Sequence, residues 1–309
     1  MNVNVVSISG GVDSTATALL AIERMTPNLR FVFADTGNEH PLTLEYIGYL
    51  ENVFKAPIMK VKADFSAKIE TRRRKLVSRI KDRKKTGWTN KRLRQALWTL
   101  TPTGNPFLDM CLYHSRFPSA TRRFCSGELK VIPIQQAVFA VILDNGDKPI
   151  SWQGIRWDES PRRALLPMHE EGEIDIYRPI ASWSKKKCFD YLAQHGVEPN
   201  PLYKMGMHRV GCMPCIFARK AELSNISRMF PEELDRISRW ERRVSLAARR
   251  GISSFFSYDK TPRGKNSKNF NNCTVYHVAN WATTNRNGQA SMLDILPQPE
   301  CVSEYGLCE

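Results

Sequence analysis

Short β-branched runs alternate with helix-length amphipathic stretches along most of this chain. Asn4 to Ile8 is an apolar run of strand length, and Arg30 to Ala34, Ala56 to Val61 and Ile150 to Ile155 repeat the pattern. Between them, Ser14 to Met25 places Ala18, Leu19 and Ile22 on one helical side, and a second helix starts at Pro41, whose fixed φ suits a first turn. Further helices are predicted from about Val131 to Leu143, from Ser184 (as N-cap) to His195, and from Pro231 to Arg250, the last with Leu234, Ile237, Trp240 and Val244 along one side. Strands alternating with helices through short loops predict an α/β fold, a doubly wound parallel sheet whose ligands sit beyond the carboxyl ends of the strands.

Two stretches break the rhythm. About residues 66–100 read as a basic helical insertion in a nucleotide-binding domain spanning 1–222. Residues 223–309 read as a helical and irregular C-terminal region. From Ser257 onward it is rich in Asn, Lys, Gly and Pro, loosely ordered unless something holds it, with Trp281 as an anchor. No apolar run approaches the roughly 18 residues of a membrane span and no signal pattern opens the chain, so a cytoplasmic protein without a membrane partner is expected.

Charge sharpens the insertion. The whole chain carries +15, and the segment from Lys68 to Arg94 holds thirteen Lys or Arg against only Glu70 and Asp82. A stripe of that density attracts polyanions by counterion release, and Trp88 and Trp98 at its end can serve as stacking platforms, so nucleic acid is an expected partner; the alternative is a solvated helical face.

The first strand runs into Ser9-Gly10-Gly11-Val12-Asp13-Ser14-Thr15 and then a helix. Two glycines let the backbone turn its N–H groups onto phosphate oxygens, the helix adds its positive end, Ser9, Ser14 and Thr15 offer hydroxyls, and Asp13 can hold Mg2+ or orient the loop. No Lys follows the glycines, so this is not the Gly-x-x-x-x-Gly-Lys loop of ordinary ATPases. Asp35, Thr36 and Gly37 end the second strand, where they can read a ribose or adenine, and Arg156, Arg162 and Arg163 can clamp a phosphate or sulfate. Cys212 and Cys215 have metal-ligand spacing, and Cys301 and Cys308 form a second pair; four thiolates suit an iron–sulfur cluster or a zinc ion, with a redox dithiol at Cys212 and Cys215 or unrelated buried cysteines as the other readings.

The loop resembles the PP-loop of the N-type ATP pyrophosphatases, and the wider chain resembles the phosphoadenosine phosphosulfate (PAPS) reductase family. The motifs run in family order from about residue 4 to 222: the loop, Phe33 to Pro41, Arg123-Phe124-Cys125 with Leu129-Lys130, Gly154 to Arg163, and Asn200-Pro201-Leu202-Tyr203 leading into Gly211 to Cys215. The resemblance implies nucleotide binding by Ser9 to Thr15, Asp35 to Gly37, Arg156, Arg162 and Arg163, with Asp13, Cys125 and Arg156 as catalytic candidates. Cluster-bearing sulfonucleotide reductases have a tandem cysteine pair where this chain has Cys125-Ser126; DNA phosphorothioation enzymes look similar in pairing a Cys-x-x-Cys with outlying cysteines while keeping a cysteine like Cys125. That implies a 4Fe-4S cluster (zinc as the alternative) on Cys212, Cys215, Cys301 and Cys308, Cys125 as sulfur carrier or substitute ligand, and Cys111, Cys188 and Cys273 as structural. The reductases' Glu-Cys-Gly-Leu-His tail reads Glu304-Tyr305-Gly306-Leu307-Cys308 here, and their phosphate loop is usually degraded.

Three functions follow as expectations. The first is ATP pyrophosphatase chemistry with Mg2+, adenylating an acceptor, with nucleic acid as a candidate, coupled to iron–sulfur-dependent sulfur transfer from a sulfur-donor protein. The second is sulfonucleotide reduction. The third is a non-catalytic, nucleotide-regulated nucleic-acid-binding protein.

Overall fold

The computed structural model describes residues 1–81, 87–256 and 274–284. Six strands form one sheet in the order β3-β2-β1-β4-β6-β5: β1 (Asn2–Ile8), β2 (Leu29–Asp35), β3 (Ile58–Lys62), β4 (Lys148–Trp152), β5 (His169–Glu170) and β6 (Asp175–Tyr177). All neighbours are parallel except β5 on β6, with Ile8 opposite Phe33 and Val6 opposite Trp152. The sheet is the expected doubly wound one, with a short antiparallel edge that the sequence pattern did not predict. The chain winds outward from β1 through β2 to β3 and then returns to β4 on the other side of β1. The β1/β4 junction is therefore the switch point of the sheet, where the loops after the two strands part and leave a crevice.

Helices α1 (Val12–Glu23) and α2 (Pro41–Phe54) cover one face with α8 (Lys185–Gln194); Leu19, Phe33, Ile47, Leu50, Cys188 and Leu192 lie in that core. The other face is closed by one long helical run, α6 (Phe124–Asp144), which carries π-turns at Gly127–Val131 and Gln135–Phe139. It begins seven residues before the predicted Val131. Pro133 supplies no N–H inside it, and the widened turns accommodate that gap. By length and composition α6 could cross a membrane, but it lays Ile134, Val138, Phe139 and Ile142 onto Val3, Val5, Val32 and Val61 of the sheet.

The remaining helices build a second core beside the sheet: α3 (Ser66–Lys81), α4 (Asn90–Thr99), α5 (Pro106–His114), α9 (Lys220–Met229), α10 (Pro231–Ala247) and α11 (Val275–Ala282), with a short α7 (Pro161–Ala164) over the crevice. Ile69 and Leu76 of α3, Leu93 of α4, Met110 of α5, Leu223 of α9, Ile237 of α10 and Val278 of α11 share this one apolar cluster. The basic insertion and the described C-terminal helices are thus packed as a unit, with no break in the core at residue 222. α11 falls in the stretch expected to be loose. Glu241, 4 % exposed, accepts N–H bonds from Phe255 (2.8 Å) and Val275 (3.1 Å), and Lys220 lies 4.9 Å over the Trp281 ring, which together dock that helix.

Candidate nucleotide and cysteine site

The Ser9–Thr15 turn caps the carboxyl end of β1 and opens α1. Gly10 has φ +75°, and a Cβ there would lie 2.8 Å from Thr43. Only glycine fits. The hydroxyls close the loop on itself: Ser14 Oγ donates to Gly11 O (2.9 Å) and accepts from Ser9 N (3.1 Å), Thr15 Oγ1 donates to Gly11 O (3.1 Å), and Ser9 Oγ lies 3.1 Å from Ser14 Oγ. Ser14 and Thr15 are buried. They shape the loop rather than face a ligand, because the tight turn has a carbonyl to satisfy first. Phosphate recognition falls to the backbone N–H groups at the start of α1. Val12 N already donates to Tyr203 Oη (3.1 Å), and Asn200 Nδ2 reaches Gly10 O (3.3 Å), so the Asn200–Tyr203 motif braces the loop from the far side of the sequence.

Across the switch point, Gly154 after β4 abuts the Asp13–Ser14 backbone so closely that a Cβ would stand 2.9 Å from Asp13 C and O. Two residues on, Arg156 is buried; its Nε donates to Asp13 Oδ1 (2.8 Å) and its Nη1 to Asp158. A buried guanidinium needs such partners, since removing one strands a charge at a cost of about 3–5 kcal/mol. Arg156 therefore orients Asp13 first. Arg163 pairs with Glu159, and Arg162 is exposed on α7. Burial lowers the Arg163 pKa, and neighbouring Arg209 lowers it further, which places both cations on the same anion-seeking wall.

Lys185 is a further cation here that the sequence reading missed. Burial lowers its pKa to about 8, Asp13 opposes, and Arg156 and Arg209 lower it further. It donates to the His208 carbonyl. A signal was present in the sequence: Lys185, Lys186 and Lys187 fill the first turn of α8, the end of a helix where cations are disfavoured. Cys188, on the same helix, is raised in pKa by burial and by Asp13, to which it hydrogen-bonds. It is a core residue, as expected, that also touches the site.

At the end of β2, Asp35 pairs with Lys62 (2.8 Å) and accepts from Gly37 N (2.9 Å). Thr36 is fully buried and donates to Glu39 Oε1 (2.6 Å), with Cys212 Sγ at 3.6 Å. Gly37 has φ +74° and lies against Asn105, the N-cap of α5. Thr36 and Gly37 thus tie this loop to its surroundings, leaving Asp35 as the partly accessible group of the three.

The Cys212–Cys215 turn docks on the same loop. Met213 N donates to Asn38 O (2.8 Å), Asn38 Nδ2 donates to Pro214 O (3.1 Å), and Arg236 of α10 bridges Asn38 Oδ1 (2.9 Å) and Met213 O (2.6 Å). Arg236 is anchored by Glu233. It was missed because its role appears only when α10 packs. A cavity of about 280 Å³ opens beside the turn, lined by Cys125, Cys212, Cys215, Lys130, Arg163 and Arg209. Burial pushes the Cys212 thiol up to about 12, opposed by the Lys130 ammonium. Burial lowers the Lys130 pKa, but Cys212, Glu39, Cys215 and Cys125 outweigh that and raise it. Cys125 is raised by burial and by Cys215. The structure thus brings Cys125 together with Cys212 and Cys215; Cys111 is fully buried beneath them, and Cys301, Cys308 and Cys273 lie outside the described residues. Among the described residues no three His, Cys, Asp or Glu side chains converge at metal-ligand distance.

The stripe resolves into two kinds of residue. Arg72 donates to Tyr113 O and to Ser115 Oγ (2.7 Å), and Arg73 donates to Leu97 O and Leu100 O (2.8 Å), so each satisfies carbonyls at a helix end, of α5 and α4 respectively. Lys68, Arg74, Lys75, Lys91 and Arg94 are exposed or nearly so, Trp98 is 80 % exposed, and Trp88 packs on the second core. Residues 82–86 of the stripe lie outside the described ones.

Comparison with known proteins agrees with this arrangement of loop, arginines and cysteines. The chain is 43% identical to an uncharacterized 37.8 kDa protein of Escherichia phage 186 over 99% of its own length and 97% of that protein. It is 28% identical to a phosphoadenosine 5'-phosphosulfate reductase of Buchnera aphidicola over 67% of this chain and 68% of that one, and 42% identical to an adenosine 5'-phosphosulfate reductase of Streptomyces coelicolor over 20% and 28%. A PAPS reductase from Candida auris, solved as a phosphate complex, superposes with a TM-score of 0.41 at 15% identity, over 68% of this chain and 80% of that one. Residues 3–218, which carry the phosphate loop, the Arg156 motif and the Cys212–Cys215 turn, match the phosphoadenosine phosphosulfate reductase domain, and the chain belongs to that family.

Proposed function

We propose that the protein cleaves ATP between the α and β phosphates, adenylating an acceptor that sulfur then enters. The observation that carries this reading is a shared wall: Arg163 and Arg209 couple electrostatically around the phosphate loop and also line the cavity holding Cys125, Cys212 and Cys215. Anhydride and sulfur chemistry then adjoin.

In this reading an acceptor oxygen attacks the α-phosphorus, the bond to the α–β bridging oxygen breaks, and pyrophosphate leaves. The N–H groups at the start of α1, Lys185, Arg163 and Arg209 stabilise the departing charge. Magnesium, arriving with ATP, supplies further neutralisation; Asp13, held at one oxygen by Arg156, is the carboxylate placed to meet it. A persulfide on Cys125, loaded by a sulfur-donor protein, then attacks the activated atom, and AMP leaves with the bonding pair. Thiolate attack by Cys215 on Cys125 Sγ releases the acceptor-bound sulfur and leaves a Cys125–Cys215 disulfide, which a dithiol reductant resets. Cys125 and Cys215 face one cavity, as this step requires. A metal or cluster on Cys212 and Cys215 would draw its other thiolates from Cys301 and Cys308; the described residues supply half that set, and no step here passes through it.

Sulfonucleotide reduction is the second reading, favoured by the same three cysteines and by the names of the reductase relatives. There a thiolate takes the sulfate sulfur, the adenosine phosphate leaves, and a second thiolate frees sulfite with disulfide formation. Product analysis separates the two. Pyrophosphate from ATP, increased by nucleic acid, is the expected result; sulfite from a sulfonucleotide with intact ATP would overturn the first reading in favour of the second.

A further inference from the structure

Three recesses run in series along one side of the molecule. The first, about 530 Å³, lies between α3 and α5 and is lined by Lys68, Thr71, Arg72, Lys75, Tyr113 and Arg116. The second, about 260 Å³, shares Arg116 with the first and adds Ser119, Arg122 and Ser254. The residue after Arg122, Arg123, lines the cysteine cavity. Aromatic rings lie beside the cations throughout: Lys68 over Phe65 (4.8 Å) and Tyr113 (5.8 Å), Arg116 over Phe124 (5.8 Å), and Arg123 over Phe217 (4.7 Å), which is 39 % exposed. Glu128, paired with His114 at 2.7 Å and with Lys68 at 3.5 Å, is a carboxylate set among these cations.

We infer that this series is a track for single-stranded nucleic acid, entering between α3 and α5 and passing Arg116 and Arg122 toward Cys125. The inference rests on the reading that the acceptor is a nucleic acid and names the form in which it arrives. Alternating cations and rings along a recess is the arrangement that holds a phosphodiester backbone while bases stack. The cations line a concave path broken into pockets of a few hundred Å3, which admits a strand but not a duplex, whose major groove alone is about 12 Å wide. A flat bilayer surface could not follow it. Because Arg72 and Arg73 are committed to helix-end carbonyls, the phosphate contacts fall to Lys75, Arg116 and Arg122, whose side chains are exposed.

The test is fluorescence anisotropy with a labelled twelve-residue oligothymidylate and a twelve-base-pair duplex over a salt series, using the full chain and a Lys75→Ala/Arg116→Ala/Arg122→Ala variant. The track predicts tighter binding of the single strand, a loss of ten- to a hundred-fold in the variant, and a salt slope shallower by about 2, near 0.7 per lost phosphate contact. ATP affinity should not change, which also certifies the fold of the variant. Photo-crosslinking of a 4-thiothymidine strand to wild-type protein should label Tyr113, Phe124 or Phe217. Preference for the duplex, an unchanged slope, or crosslinks confined elsewhere would overturn the track. If an oligonucleotide raises pyrophosphate release equally in both proteins, the track fails while the acceptor reading stands. If the variant alone loses binding but neither protein's pyrophosphate release responds, the track stands and the acceptor reading fails.

Discussion

Replacing Gly154 by alanine sets a methyl group against the backbone of the phosphate loop. The new Cβ would lie 2.9 Å from Asp13 C and O and 3.0 Å from Ser14 N. Ordinary contact begins near 3.4 Å, so one of the two loops must move by about 0.5 Å. Neither neighbour is a flexible side chain that could swing aside. The shift falls on Asp13, whose carboxylate is fixed by Arg156 at 2.8 Å, and on the first turn of α1. Overpacking of this kind costs about 1–3 kcal/mol of stability. Misplacement of a binding constellation by about 1 Å costs roughly a hundred-fold in function, so half that displacement should weaken nucleotide binding by about ten-fold. Isothermal titration with ATP, beside thermal unfolding followed by circular dichroism, measures both effects. Gly48→Ala is the control: a Cβ there meets nothing within 4 Å, and in mid-helix α2 it should stabilise by up to about 1 kcal/mol without altering ATP affinity. A Gly154→Ala protein that binds ATP like wild type would refute the claim that β4 and the loop form the nucleotide crevice together.

Other consequences are measurable. Burial pushes the Glu241 carboxyl up to about 7, with the Phe255 and Val275 N–H groups opposing. The folded state therefore favours the protonated form: the stability this contributes is full below about pH 4.5 and is lost as pH rises through about 7, a swing of about 3 kcal/mol. Denaturant unfolding of Glu241→Gln should show that slope flattened, and an identical pH profile would contradict the assignment. Lys185→Met should weaken ATP binding roughly ten- to a hundred-fold, the worth of one charged hydrogen bond. Wild-type affinity should also fall above about pH 8, as Lys185 loses its proton, while the variant stays flat; parallel pH profiles would remove Lys185 from the site. Anaerobically purified protein should be brown and contain iron, with colour lost in Cys212→Ser/Cys215→Ser; a colourless preparation with stoichiometric zinc would sink the cluster.

Much of this was legible in the chain because the relevant signals are local. A β-branched run, two glycines and a helix are adjacent in sequence, so the phosphate loop could be read directly, and the return of the strand pattern at Ile150 marked the second side of the crevice. What was missed depends on distant partners. Charge density could not tell that Arg73 would serve carbonyls 24 and 27 residues away, or Arg72 one 41 residues away, while Lys75 stayed free for solvent. The serine and threonine hydroxyls were read as ligand donors, yet the turn they sit in has its own carbonyl to satisfy at Gly11. Ser126, Gly127 and Pro133 resemble helix breakers, so α6 was begun late; π-turns absorb them. α11 looked too polar to dock, but its order comes from a carboxylate on α10, which no local pattern encodes.

The central claim is that the intact phosphate loop serves cleavage of ATP at the α-phosphorus. Incubating α-32P-labelled ATP and magnesium with the protein and a single-stranded oligonucleotide, beside an Asp13→Asn variant, tests it most directly. The account predicts label in AMP or adenylated acceptor with one pyrophosphate per label, lost in the variant. Label in ADP, or intact ATP from a protein that releases sulfite from a sulfonucleotide, would contradict it.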